Sequence, residues 1–167
     1  RPRSFAASTW SSMLEKSIGD LLAIAPPPYL AIADAEVDRG NVLRELGDFK
    51  AARTAYTRAR DAYGKAAETV SNEDAHTSAS VGLVTARASL ATLLVEDHKY
   101  DEAAREYEAA RAGFVEVDDR PMAARARQGA ADARVKEAHE TADLAKRREL
   151  IRKGMSNPEI ANLLNIT

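Results

Sequence analysis

The sequence predicts an all-α protein, and three observations lead to that prediction. Alanine is the commonest member of a hydrophobic fraction that makes up 45% of the 167 residues, whereas aromatic residues make up only 5% and the chain has 8 glycines. Alanine-rich, glycine-poor stretches favour helix. Apolar residues recur at spacings of three and four, which is typical of amphipathic helices. Segments that contain proline or glycine interrupt this pattern and divide the chain into several helices.

The composition excludes several kinds of site. The chain has no cysteine, so it forms no disulfide, no cysteine-ligated metal centre and no thiol nucleophile. Its formal net charge is -2 and its pI is about 6.0, which does not favour nucleic-acid binding through overall charge. No apolar run reaches the roughly 18 residues that a bilayer requires, since the best candidate, the run that begins at Ile18, contains Asp20. We therefore expect a chain that does not span a membrane, with peripheral docking left open.

The N-terminal segment, residues 1–28, predicts a capping helix and a proline-rich connector. Ser12 and Glu15 have the spacing of a capping box, which predicts that the helix begins late. The prolines at positions 26–28 end it because proline cannot continue a helix. A terminal helix of a solenoid covers an apolar face of its neighbour, and we expect this helix to do so. Its apolar positions are Trp10, Met13, Leu14, Ile18, Leu21 and Leu22.

The clearest pair of helices lies directly after the prolines. Gly40 and Ala52 are small residues at positions where two antiparallel helices would cross closely. Gly47 predicts the end of the first helix. Phe49 and Tyr56 would fill the space between the two helices. The pattern also includes Leu43 and Ala59.

A second copy of the pattern is present further along the chain, where Ala103 corresponds to Ala52. Its turn is the segment 97–99, Asp-His-Lys, and without a glycine at 98 we expect this turn to avoid the left-handed conformation. Ala52 and Ala103 stand 51 residues apart, so the helices that link the two copies must be long, and residues 69–77 supply the turn between them. The matching positions are Ala91, Leu94, Tyr100, Ala103, Tyr107 and Ala110.

A third copy of the pattern lies around Gly129, which is the counterpart of Ala91 in the second copy. We expect this segment to form the first helix of a third hairpin. Acidic residues at 118 and 119 and Pro121 predict the start of this helix. No strong breaker follows until Gly154, so the helix would contain about 30 residues and span roughly 45 Å. We expect its second half to project from the rest of the protein.

These spacings resemble those of the tetratricopeptide repeat, whose typical period is about 34 residues. The resemblance covers residues 31–140 and implies a short right-handed solenoid of helical hairpins. We therefore predict three segments: the N-terminal capping helix and connector, the repeats over residues 29–140, and a helical extension over residues 141–167.

The resemblance also implies a partner-binding site, because in tetratricopeptide proteins the first helices of successive repeats line a groove that binds peptides. Asn41 matches the polar residue that holds the peptide backbone in many of these proteins. Val37 and Ala88 stand where versions that clamp a chaperone's C-terminal carboxylates have Lys or Arg, so we do not expect that activity. A small-sided, nearly neutral groove favours a helix or an extended apolar segment. The positions carried over are Asp34, Val37, Asn41 and Arg44 from the first repeat, and Thr85, Ala88, Thr92 and Val95 from the second.

The C-terminal segment carries a basic cluster. It could contact phosphate, anionic lipid or an acidic partner, or it could be a solvated face that complements the helix dipole. The cluster consists of Lys146, Arg147, Arg148, Arg152 and Lys153.

The last residues, GMSNPEIANLLNIT, resemble the first part of a LuxR-type helix-turn-helix. In that family the recognition helix would begin after Thr167, so we do not expect residues 1–167 to bind DNA specifically. The same residues are also explained without DNA, because Ser156 and Glu159 have the spacing of a capping box and Gly154 would end the preceding helix.

Catalysis has no supporting pattern in the sequence. His76, His98 and His139 have no spacing typical of metal ligands, no serine lies in a strand-turn-helix elbow, and no glycine-rich loop is present for phosphate. We therefore predict that the chain is not an enzyme and uses no metal or cofactor.

The sequence thus predicts a non-catalytic scaffold, adaptor or linker subunit that binds a protein or peptide. One alternative is the sensor part of a LuxR-type transcription regulator, in which helical repeats precede the DNA-binding domain. Another is a soluble linker subunit docked on a photosynthetic or respiratory membrane complex, because the opening residues before Glu15 carry Arg and Ser without an acid, as transit peptides do. The sequence is compatible with the bacterial cytoplasm and with an organelle stroma or matrix, and it does not distinguish these compartments.

Overall fold

The computed structural model describes residues 2–23 and 27–164, without the side chains of residues 2–6, 157, 161 and 162. The part described is all-helical, with 87% helix and no strand, which confirms the predicted fold class. Residues 24–26 and 165–167, on which parts of the connector and helix-turn-helix predictions fall, lie outside it. The helices are α1 Pro2–Leu22, α2 Tyr29–Glu45, α3 Phe49–Thr69, α4 Glu73–Glu96, α5 Tyr100–Glu116, α6 Arg120–Arg152 and α7 Asn157–Leu163.

Helices that follow one another in sequence pack against one another in space. Each helix from α1 to α6 contacts the helix after it, and α4 also contacts α2 and α6. The core is therefore a series of clusters rather than one centre. The clusters contain Ile18, Ile32 and Tyr63, then Tyr56, Leu90 and Leu93, then Val84, Phe114 and Ala126.

Two tyrosines of α3 account for close helix crossings. Tyr56 is fully buried, and a Cβ atom added to Gly40 of α2 would lie 2.7 Å from its ring. Tyr63 fills the same kind of space against Gly82 of α4, where an added Cβ would lie within contact distance of the ring carbons. The predicted small residue at 40 is thus confirmed, whereas the sequence pattern gave no indication of Gly82.

Four helix ends close in the same way. The residue after each C-cap has positive φ at Gly47, His98, Asp118 and Gly154, with values of 77°, 58°, 53° and 80°. At His98, the backbone N–H of His98 donates to the carbonyl of Val95 while that of Lys99 donates to Leu94, which is the Schellman pattern.

The prediction that the turn at His98 avoids the left-handed conformation is therefore wrong. The two closing hydrogen bonds require that conformation regardless of the side chain, so a histidine occupies a position where glycine is less strained.

Polar side chains start three of the helices. The carboxylate of Asp48 accepts a hydrogen bond from the Ala51 amide, and that of Asp119 accepts one from Met122 with Pro121 in the first turn. The predicted start of α6 is confirmed. Asn72 caps α4, so the predicted turn over residues 69–77 is too long, because residues 73–77 are already helical.

The predicted capping box near the N-terminus is wrong. α1 begins at Pro2, and the hydroxyl of Ser12 donates to the carbonyl of Ser8 inside the helix, 3.1 Å away. Only part of the predicted apolar face covers α2, because Ile18 is buried whereas Trp10 and Met13 are 59% and 58% exposed.

α6 has the predicted length and end. It contains 33 residues, or about 50 Å at 1.5 Å per residue, and Gly154 follows its C-cap. Its buried residues, Ala123, Ala126, Ala130 and Ala133, all lie in its first half, and residues 138–149 are exposed on every side.

α4 has the length and apolar composition of a candidate membrane span, in contrast to the prediction that no segment would. No other helix in the described ranges meets that criterion. α4 packs against α3 and α5, contacts α2 and α6, and buries seven of its residues, which are the contacts of a core helix.

Candidate partner-binding site

The predicted groove residues lie on two helices that contact each other. Asp34, Val37, Asn41 and Arg44 follow one another on α2 at spacings of three and four, so they share one face. Their counterparts, which include Thr85 and Thr92, lie on α4, and α2 contacts α4.

Asn41 is held in place by a buried tyrosine. The hydroxyl of Tyr56 donates to Oδ1 of Asn41 at 2.7 Å, and burial raises the pKa of that hydroxyl. Among the described residues, the amide nitrogen of Asn41 has no hydrogen-bond partner, and the residue is exposed. Because its oxygen is occupied, Asn41 presents an oriented N–H donor to whatever lies over this face.

Thr92 occupies the equivalent position in the second copy and is paired in the same way. Its hydroxyl lies 2.9 Å from the hydroxyl of Tyr107, the counterpart of Tyr56. Oγ1 of Thr92 also donates to the carbonyl of Ala88 at 3.0 Å, so its single proton is used within α4. Thr92 therefore ties α5 to α4 and offers no donor to a partner.

Arg44 joins α2 to the last residue of α4. Its Nε donates to both carboxylate oxygens of Glu96, at 3.1 and 2.8 Å, and this hydrogen bonding is the largest cause that raises the pKa of Arg44. Asn41, Arg44 and Glu96 line an open cavity of about 540 Å³ together with Glu45 and Phe49. The structure thus brings Asn41 and Arg44 to one cavity.

The remaining predicted residues make contacts within the protein. Oδ1 of Asp34 accepts a hydrogen bond from the Tyr63 hydroxyl at 2.5 Å; burial and then this bond raise the pKa of Tyr63. The Thr85 hydroxyl donates to the carbonyl of Val81. None of the remaining residues lines the cavity at Asn41. Three of them pack against the core clusters: Val37, Ala88 and Val95.

Ion pairs between α3 and α5 were not predicted. Arg53 pairs with Glu102, and Nη1 of Arg60 donates to Glu106 at 3.0 Å. Arg87 of α4 reaches the same carboxylate at 3.4 Å. The available signal was the spacing, since the two arginines of α3 stand seven residues apart and the two glutamates of α5 stand four apart, each on one helix face.

Glu36 is a buried charge with incomplete partners. It is 2% exposed, and guanidinium nitrogens of Arg39 and Arg58 lie 3.6 Å from its carboxylate oxygens. Oε2 of Glu36 and Nε of Arg39 have no hydrogen-bond partner within the described residues. Burial is the largest effect on the carboxyl and raises the pKa of Glu36, while the two arginines oppose that rise.

The predicted basic cluster lies at the exposed end of α6 and just after it. Lys153 pairs with Glu149 at 2.7 Å, which lowers the pKa of that glutamate. The other four members are exposed and have no ion pair within the described part of the chain. The four are Lys146, Arg147, Arg148 and Arg152.

The segment that resembles a helix-turn-helix forms a short helix. α7 follows the turn at Gly154, its Glu159 accepts a hydrogen bond from the Ser156 amide at 2.7 Å, and Ile160 is 4% exposed. One half of the predicted capping box is confirmed, namely the hydrogen bond from the Ser156 amide to the Glu159 carboxylate. In the described ranges, no group of three or more His, Asp or Glu side chains is arranged to hold a metal.

Comparisons of the chain with models of protein families, with curated proteins and with solved structures found no match. Its function is therefore inferred from its own residues and contacts.

Proposed function

We propose that this chain is a tetratricopeptide-like solenoid of about two and a half hairpins, and that it binds a protein partner without catalysing a reaction. The observation that supports this most directly is the repeated tyrosine pair. Tyr56 with Asn41 joins α3 to α2, Tyr107 with Thr92 joins α5 to α4, and each pair is separated by the same 15 residues of sequence. The contacts of α2 with α4 and of α4 with α6 are those expected if first helices stack side by side.

The partner binds along the exposed face of α2, at the cavity where α2 meets the end of α4. The free amide nitrogen of Asn41 donates to a backbone carbonyl of the partner, and Phe49 supplies apolar contact in the same cavity. Arg44 is paired with Glu96, so the cavity carries little positive charge and suits an extended or helical segment of low charge.

A display library of random peptides, selected on the wild-type chain, tests this proposal. Asn41→Ala should weaken the selected peptides by about fivefold, because one hydrogen bond contributes about 1 kcal/mol. Arg44→Ala removes the arginine, whereas Glu96→Gln breaks the same ion pair but keeps Arg44. A loss of binding in Arg44→Ala alone identifies a contact of Arg44 with the peptide, and an equal loss in both variants identifies disturbed packing of α2 on α4. Arg105→Ala is the charge-matched control, because Arg105 is an exposed arginine of α5 whose ion-pair partner among the described residues is Asp101 of the same helix.

If selected peptides bind all of these variants equally, the binding site lies elsewhere. If no peptide is selected at all, the proposal that this face binds peptides is wrong.

A second candidate function, the sensor part of a LuxR-type regulator, is favoured by one observation. The end of α6, the left-handed Gly154 and the capped α7 form two helices joined by a tight turn, as the resemblance requires. Reading the gene beyond the codon for Thr167 tests it: an encoded helix with basic and polar residues directly after Thr167 favours this candidate, and a stop codon excludes it.

A further inference from the structure

An arginine-lined groove runs between α5 and α6, away from the site on α2 and α4. One cavity of about 600 Å³ adjoins another of about 430 Å³, and both are lined by Arg111, Arg127 and Ala131. Val115, which lies in the first cavity, is 57% exposed. Among the described elements α7 contacts only α6, so no described helix covers the groove.

The groove is positive on a chain whose formal net charge is -2. Its lining includes four arginines and one glutamate, and that glutamate, Glu108, is paired with Arg134. Arg120 is paired with Asp118 at 3.3 Å, and both are strongly exposed. Within the described residues, Arg111 and Arg127 have neither an ion pair nor a hydrogen-bond partner.

The protein contains an occupied groove of the same kind, between α3 and α4. There α5 packs against α4, and its Glu102 and Glu106 reach across the groove to pair with Arg53 and Arg60 of α3. The repeat that relates Tyr56 to Tyr107 also relates Arg60 to Arg111. Arg111 is thus the counterpart of an arginine that an incoming helix neutralises.

We propose that the groove between α5 and α6 binds an amphipathic helix of a partner protein that carries two carboxylates four residues apart, which pair with Arg111 and Arg127. This inference rests on the proposed function, because it takes the stacking of hairpins as its template, and it adds a second surface and the chemistry of the ligand.

The groove also defines how this partner differs from α5. If Gly129 is aligned with Ala91, the buried Leu90 of α4 corresponds to Gln128 of α6, which lines the groove. The remaining floor is formed by alanines and Val115. The docked helix therefore has small apolar residues and a polar margin, and its binding is reversible and salt-dependent.

The test uses a helix-stabilised peptide that copies residues 100–116 with Tyr107→Ala and Phe114→Ala, which gives it the small apolar residues that the groove requires, and it is titrated into the full chain by fluorescence anisotropy. Its matched control carries Glu102→Gln and Glu106→Gln. The glutamate peptide should bind, and Arg111→Ala or Arg127→Ala should each weaken binding about twofold to fivefold, as expected for partly exposed charged pairs. Lys136→Ala removes the same charge from an exposed position of α6 that lines neither cavity, and it should leave binding unchanged.

Equal binding of the glutamine peptide, or an equal loss with Lys136→Ala, would overturn the inference. So would tighter binding of duplex DNA than of the peptide at the same arginines, or self-association of the chain that Arg111→Ala abolishes, since the occupant would then be nucleic acid or a second copy.

A double-mutant cycle with Arg60→Ala and Glu106→Gln, measured by thermal unfolding, tests whether the ion pair that serves as the template contributes to stability. Its result is independent of whether the groove between α5 and α6 binds the peptide. Coupling between these two residues with no peptide binding would refute the groove alone. Additive effects would remove the ion pair as a template for the groove and would leave the proposed binding at Asn41, which the peptide selection tests, unaffected.

Discussion

Gly40→Ala tests whether the contact between α2 and α3 is as close as the structure requires. The added methyl group would lie 2.7 Å from Cε1 and 2.8 Å from Cδ1 of Tyr56. That ring is fully buried, and its hydroxyl is held by Asn41 at 2.7 Å, so it has no free direction in which to move. The helices must separate or the ring must leave its position.

The expected change in the free energy of unfolding of Gly40→Ala follows from two opposing effects. Alanine stabilises a helix interior by about 1 kcal/mol relative to glycine, and an extra methyl group in a packed core costs about 1–3 kcal/mol. Gly64→Ala is the matched control, because Gly64 lies within α3 and an added Cβ would meet nothing within 4 Å. The propensity effect cancels between the two variants, which leaves a difference of about 1–3 kcal/mol in the free energy of unfolding.

Thermal unfolding followed by circular dichroism measures this difference. For a chain of this size, about 1–3 kcal/mol corresponds to roughly 2–12 °C in Tm. Gly64→Ala should unfold above the wild type, and Gly40→Ala should unfold below Gly64→Ala by that interval. Equal Tm values for the two variants would refute the close crossing at Gly40.

Two further predictions concern the turns and the buried charge. Gly47→Ala should lower stability by about 1–2 kcal/mol and His98→Gly should raise it by up to about 1 kcal/mol in urea unfolding, because both positions have positive φ; opposite signs would contradict the turn geometry. The raised pKa of Glu36 means that the folded state takes up a proton more readily than the unfolded state. Stability of the wild type relative to Glu36→Gln should therefore rise as pH falls through the folded pKa towards the usual value of 4.5, and level off below it. A difference that is flat over this window, or that rises with pH, would show that Arg39 and Arg58 balance or outweigh desolvation.

Two of the predicted site residues, Asn41 and Arg44, lie together in the structure, but the sequence did not indicate their partners. The spacing of Asn41 and Arg44 places both on one face of α2, and they do line one cavity. Their partners come from other helices: the Tyr56 hydroxyl occupies the Asn41 oxygen, and Glu96 binds the Arg44 guanidinium. A pairing across 52 residues depends on how helices pack, which the spacing along one helix does not contain.

Local sequence is enough to specify which segments are helical and where most of them begin and end. Asp48, Asp119 with Pro121, and Gly47 act within a few residues, so their effects can be predicted without knowing the neighbouring helices.

Other features depend on how the helices pack together. Packing places His98 in a left-handed turn, buries Glu36 between two arginines, and leaves Arg111 unpaired within the described residues while Arg60 is neutralised. The physical reason is that neighbouring helices set the burial and pairing of a charge. Identical residues at equivalent positions, such as Arg60 and Arg111, therefore differ in environment according to whether another helix with acidic side chains packs beside them.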